Sequence, residues 1–190
     1  MGAKPNRRPP ARQSPPKFRR GWHRDAPERI LFGRSRTTRK PSLNQSTPMP
    51  TRHSSAVWEG TLREGKGTYS GESGTLGGKY SFGTRFGDEK GSNPEELLAA
   101  AEAACFSMAL SGALERNGTP STRVETAAAC TVEKQEIGFT VTTMKLTVRV
   151  TAPGITNEAF QAIAAATKDG CPISRAIKGN VALEIDAALV

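Results

Sequence analysis

The chain has 190 residues, 36% of them hydrophobic and 24% charged, with 27 Lys plus Arg against 18 Asp plus Glu. The charge is uneven: residues 1–50 hold 13 of the basic residues and only Asp25 and Glu28 as acids, whereas residues 51–190 hold 14 basic and 16 acidic side chains. The basic average therefore belongs to a leader, and it gives no argument for nucleic-acid binding by the remaining domain of about 140 residues.

Other classes fall away on pattern. The apolar stretches are short of the roughly 18–20 residues of a membrane span, and no charged segment followed by an apolar one marks a secretory signal near Met1. Cys105, Cys130 and Cys171 are an odd number of cysteines, which points to free thiols in a reducing, cytoplasmic compartment rather than a disulfide scaffold.

The leader, residues 1–50, carries nine of the 13 prolines together with Arg7-Arg8 and Arg19-Arg20. It has no apolar period and is expected to be disordered. A basic arm and an organelle transit peptide are two readings of it; translation beginning at Met49, just before the first strand-like residues, is the favoured third. The folded domain is placed at residues 51–190.

Val57–Leu62 reads as a first strand and Thr68-Tyr69-Ser70 as a second. Lys79–Phe86 alternates with period two, which predicts a third strand with Tyr80, Phe82 and Thr84 on one face and Arg85 on the other. Asn93-Pro94-Glu95-Glu96 then starts a helix, with Asn93 as its cap and Pro94 at its first position. The helix runs to about Arg116 and stops at Asn117-Gly118. It is apolar most of the way round, interrupted by Glu102, so it is expected to be buried, covered by another helix or a partner chain.

Arg123–Lys134 predicts a long strand with Val124, Thr126, Ala128, Cys130 and Val132 on one face. Gln135–Gly138 turns it into an antiparallel partner, Phe139–Thr151. Thr156 caps a second helix, on which Phe160, Ile163, Ala164 and Thr167 share a face. Gly170-Cys171-Pro172 breaks the chain, Pro172–Lys178 makes a short helix, and Val181, Leu183, Ile185 and Ala187 alternate as a last strand. The fold class is α+β, an antiparallel sheet covered by helices.

Residues 54–190 contain no histidine, so neither a Cys-His nor a Ser-His-Asp site exists in the domain, and a zinc site lacks ligands. No dinucleotide or phosphate loop is present. Thiol chemistry remains. Cys130, on an apolar strand face, reads as a small buried hydrophobe. Cys105 lies mid-helix on the strip Leu98, Ala101, Cys105, Met108, Gly112, which reads as core. Cys171, before a proline at a helix start, reads as partly exposed and as the more acidic thiol. Residue pattern alone stops at a possible two-cysteine redox protein.

Four blocks go further. Thr84-Arg85-Phe86, Gly91-x-Asn93-Pro94-Glu95-Glu96-Leu97, Ala103-Ala104-Cys105-Phe106-Ser107-Met108-Ala109-Leu110 and Gly170-Cys171-Pro172-Ile173-Ser174 resemble, in order, the blocks of the osmotically inducible protein C (OsmC) and organic hydroperoxide resistance (Ohr) family. The OsmC branch is the nearer, and the resemblance covers residues 56–188. It implies antiparallel sheets around a long buried central helix, in an intertwined homodimer. It also implies a peroxidase for organic and, more weakly, hydrogen peroxide, acting in oxidative or osmotic stress. In that scheme Cys105 is the peroxidatic thiolate and Cys171 the resolving thiol. Arg85 holds the thiolate charged, and Glu95 orients Arg85. Phe82, Phe86, Phe106 and Met108 form apolar walls. An external dithiol, of lipoyl type, is the reductant; no cofactor or metal is implied, and Cys130 takes no role. Glu95 and Cys105 stand ten residues apart, about 15 Å along one helix, so either the first turn departs from the helix line or Glu95 acts at a site completed by the partner subunit; the second is preferred, because the resemblance implies a dimer. A non-catalytic stress-associated binding or structural protein and a thioester hydrolase are the rival readings.

Overall fold

The computed structural model describes residues 50–190. The expectations for the leader and for a start at Met49 lie outside those residues.

Strands β1 (Ser54–Glu59), β2 (Lys66–Gly71) and β3 (Gly77–Ser81) form an antiparallel meander in the order β1-β2-β3. Trp58, Tyr69 and Tyr80 pack on one another across it, with ring centroids 5.4 and 6.3 Å from that of Tyr80. Gly67 lies beneath the Tyr80 ring, where any Cβ would collide with it. Among the described residues the sheet has little cover: Val57 is 58% exposed. Leu62, expected at the end of the first strand, lies beyond it and is exposed.

The expected strand over Lys79–Phe86 ends at Ser81, and Phe82–Phe86 instead forms a helical turn, α1. Two causes are visible. The β2 partner strand begins at Lys66, opposite Ser81, so later residues have no ladder to join. Ser81 and Thr84 also form a capping box, each side chain bonding the other's backbone N–H. Arg85 therefore stands on a helical turn, not on a strand face.

α2 (Pro94–Arg116) begins as expected, with the Asn93 side chain accepting from the Glu96 N–H at 2.8 Å. Gly118, at φ +81°, supplies the left-handed residue just past its end. β4 (Arg123–Gln135) and β5 (Gly138–Thr151) form the long hairpin, with a bulge between Thr131 and Val132. Thr156 caps α3 (Asn157–Gly170), α4 (Pro172–Ile177) follows, and β6 (Ala182–Leu189) closes the second sheet in the order β4-β5-β6. β6 runs parallel to β5 because the two helices provide the crossover a parallel pair needs. The domain is thus α+β, with two small sheets dominated by antiparallel pairing and a long central helix.

Met144, Leu146, Val148 and Val150 of β5 face Phe106, Leu110 and Leu114 of α2 and Phe160 and Ala164 of α3 to make the core. Each large side chain withdrawn in this way contributes about 1.5–3 kcal/mol. α2 is not buried all round. Its inner line is Glu95, Ala99, Glu102, Phe106, Leu110 and Leu114, whereas Ala100, Ala101, Ala104 and Met108 are exposed within the chain. The strip containing Cys105 is consequently the boundary of the core rather than its middle. By length and composition alone α2 could cross a membrane, contrary to the expectation from its short apolar runs. It packs against β4 and three other elements, and it buries two carboxylates.

Candidate active site

Arg85 and Glu95 come together through two caps. The Ser81 box fixes α1, and Asn93, while capping α2, donates from Nδ2 to the Thr84 carbonyl at 3.1 Å. Arg85 then donates from Nε to both Glu95 oxygens at 3.1 Å and from Nη2 to Oε1 at 2.6 Å. This is a forked carboxylate–guanidinium pair, with Glu95 nearly buried and Arg85 partly exposed. The guanidinium also lies 4.9 Å over the Phe86 ring. It borders a pocket of about 270 Å³ whose other walls include Trp58, Leu62, Tyr80, Phe82 and Phe86.

The two thiols meet elsewhere. Cys105, on α2, and Cys171, between α3 and α4, have Sγ atoms 3.1 Å apart. Cys171 is fully buried, against the expectation of partial exposure, because its backbone N–H closes α3 on the Thr167 carbonyl and its carbonyl accepts from Arg175. Its thiol does not cap α4. The helix-start amide instead serves the other cysteine: the Ile173 N–H pulls the Cys105 pKa down. Burial, the Cys171 thiol and the charge of Glu102 outweigh it, and Cys105 is held above the ordinary thiol value, burial being the largest cause. Neither Arg85 nor any other cation is among the groups acting on it. Glu95 and Cys105 stand ten residues apart on α2, about 15 Å along its axis, so within one chain the Arg85–Glu95 pair and the Cys105–Cys171 pair are separate.

A groove of about 340 Å³ opens beside Cys171, lined by Met108, Gly112, Arg116, Ile163 and Ala166 among others. The expected apolar walls divide accordingly. Met108 lines the thiol groove, and Phe82 and Phe86 line the Arg85 pocket. Phe106 belongs to neither, being wholly buried in the core. Cys130 sits on β4 facing the core, its thiol pushed up by burial and then by the charge of Glu95. Among the described residues, no group of three His, Cys, Asp or Glu side chains is placed to hold a metal ion.

Sequence reasoning missed Glu102 and Ser174. Glu102 is fully buried, and its Oε1 accepts from the Ser174 hydroxyl at 2.5 Å. Their meeting is tertiary. The only local signal was a lone carboxylate in an apolar run three residues before Cys105.

A family model described as OsmC-like protein matches residues 87–186. Peroxiredoxin OsmC of Escherichia coli (strain K12) is 46% identical over 130 residues, which cover 68% of this chain and 91% of that protein. Organic hydroperoxide resistance protein OhrB of Bacillus subtilis (strain 168) is 31% identical over 99 residues, 52% of this chain and 71% of that one. Among solved structures, an organic hydroperoxide resistance protein from Elizabethkingia anophelis superposes with a TM-score of 0.63 at 23% identity, covering 76% of this chain and 99% of its own. At that identity the likeness concerns the fold.

Proposed function

Because the chain belongs to the OsmC-like family, we propose that it is a cysteine peroxidase that reduces organic hydroperoxides, and hydrogen peroxide more weakly, in a reducing cytoplasmic compartment. The names of its relatives, peroxiredoxin and organic hydroperoxide resistance protein, support a peroxide-related stress function. The observation that carries the finer reading is the 3.1 Å approach of the Cys105 and Cys171 sulfurs. Two free thiols that close can cycle between dithiol and disulfide with little rearrangement.

The Cys105 thiolate attacks the outer peroxide oxygen. The O–O bond breaks, the alkoxide takes a proton and leaves as an alcohol, and Cys105 becomes a sulfenic acid. Cys171 attacks that sulfur, water leaves, and the Cys105–Cys171 disulfide forms. An external dithiol, of lipoyl type, reduces the disulfide by exchange and is itself oxidised. Arg85 supplies the positive charge that a thiolate in an apolar setting needs, and Glu95 holds its fork in place. Since the two pairs are apart in one chain, the reading includes an intertwined homodimer in which one copy's Arg85–Glu95 pair completes the other's thiol site. The outer face of α2 and the β1–β3 sheet, both exposed among the described residues, support such an arrangement.

The direct test is reduced protein mixed with an alkyl hydroperoxide, followed by thiol counting and mass spectrometry. The wild type should lose two thiols per peroxide. Cys171→Ser should react once and leave a sulfenic or over-oxidised Cys105, and Cys105→Ser should not react. Peroxide consumption by Cys105→Ser and not by Cys171→Ser would reverse the roles. One feature favours a non-catalytic binding or structural role: within one chain burial pushes the Cys105 thiol above its ordinary value, which disfavours the thiolate. Under that role the thiol count would not change with peroxide.

A further inference from the structure

Glu102 has no exposure at all, and the scheme above gives it nothing to do. It lies three residues before Cys105 on α2, and Ser174 lies three residues after Cys171 at the start of α4. Residues three apart on a helix are neighbours on its surface, with Cβ atoms about 5–6 Å apart. The two pairs face each other as two rungs between the helices. One is Cys105 to Cys171 at 3.1 Å, and the other is the Ser174 hydroxyl donating to Glu102 Oε1 at 2.5 Å. The second oxygen, Oε2, is equally buried and has no partner among the described residues. A structural tie needs only the first oxygen, and a buried acceptor left free is destabilising.

We infer that Glu102 is the proton acceptor for the resolving step at the Cys105–Cys171 pair, an inference that rests on the peroxidase reading above. In that step the Cys171 S–H bond breaks and the proton passes to the Glu102 carboxylate. The Cys171 sulfur attacks the sulfenic sulfur of Cys105, and the S–O bond breaks. The departing hydroxide takes the proton back from Glu102, so that the disulfide and one water are the products and the carboxylate is restored. No oxidant beyond the hydroperoxide is required. The domain has no imidazole from residue 54 onward to do this work, and a positioned base contributes about 10²–10⁴-fold to a proton-transfer step.

The experiment follows reduced wild type, Glu102→Gln and Ser174→Ala after one equivalent of tert-butyl hydroperoxide. Quenching with dimedone measures sulfenic acid at Cys105, and mass spectrometry measures the disulfide. Gln preserves shape and the bond to Ser174 but cannot accept a proton. Its first oxidation should stay within about threefold of wild type, while disulfide formation slows at least about tenfold and the dimedone adduct accumulates. Ser174→Ala removes the rung but keeps the carboxylate, so it should resolve within about threefold of wild type. Should Glu102→Gln not yield folded protein, Glu102→Asp, which draws the carboxylate back by one methylene, should also accumulate the adduct. Disulfide formation at the wild-type rate in the Glu102 variant, equal slowing in both variants, or loss of the first oxidation would each overturn the inference. If wild type itself spares the hydroperoxide, the peroxidase reading falls and takes this one with it. If wild type turns over and Glu102→Gln matches it, only the inference about Glu102 is lost.

Discussion

Arg85 and Cys105 set the terms at the scale of single residues. A thiol raised by burial reacts slowly at neutral pH unless a cation favours its ionised form. If Arg85 is that cation, Arg85→Met removes a charge-assisted contact of about 1.5–3 kcal/mol, equivalent to a thiol pKa higher by about one to two units. Hydroperoxide loss at neutral pH should fall at least about tenfold and partly recover as pH rises, because base restores the thiolate. Arg85→Lys should rescue in part only, since a point charge cannot hold Glu95 by a fork and also aim a donor. The separation of the two pairs adds a sharper arm. Mixed Arg85→Met and Cys105→Ser chains, unfolded and refolded together, should regain activity that neither has alone. Absence of any gain would mean that the arginine does not act across copies. The pairing of Arg85 with Glu95 was legible only through the resemblance. The rung from Ser174 to Glu102 was not legible at all, because nothing in the local pattern brings residues 72 apart into contact.

The elements divide by how local their causes are. α2 was readable because every signal lies within it: Asn93 as cap, Pro94 at the first turn, and Gly118 just past the end. The hairpin of β4 and β5 was readable from strict alternation. The failure came at Lys79–Phe86, where two local rules compete. Tyr80, Phe82 and Thr84 obey a strand period, but Ser81 and Thr84 also satisfy a capping box, and the box wins once the partner strand has run out. Composition gives the burial of α2 no direction: an alanine face reads as core, and among the described residues only the inner line of α2 is covered. Since α1 carries Arg85, its cap is expected to matter for activity. Ser81→Ala removes the acceptor of the Thr84 N–H and the donor to Glu89, at a cost of about 1 kcal/mol. The thermal midpoint should drop by about 4 °C. Peroxide turnover should fall less than in Arg85→Met, because the guanidinium is loosened rather than lost. A Ser81→Ala protein with an unchanged melt and full activity would show that the cap does not position Arg85.

For the whole molecule, the described residues 50–190 hold six strands, four helices and both candidate pairs. The matched family region, residues 87–186, lies wholly inside that span. Deleting residues 1–48 is therefore expected to leave circular dichroism, melting and hydroperoxide consumption unchanged. Loss of folding in the truncated chain would show that the domain boundary has been misplaced. The fold class was legible because helix and strand periods alternate in blocks. The parallel pairing of β6 was not, since a last alternating strand carries no mark of its direction.

The contact between Cys105 and Cys171 spans 66 positions of the chain, and that length has a thermodynamic side. A covalent link there would withdraw about 4 kcal/mol of loop-closure entropy from the unfolded ensemble. Oxidation and folding are then linked equilibria: whatever the disulfide adds to conformational stability, the native fold returns as resistance of that disulfide to reduction. Melting curves of the oxidised and reduced forms should separate by several degrees, with the oxidised form higher, and the gap should vanish in Cys171→Ser. The catalytic cycle would pass at each turnover between a looser and a tighter protein.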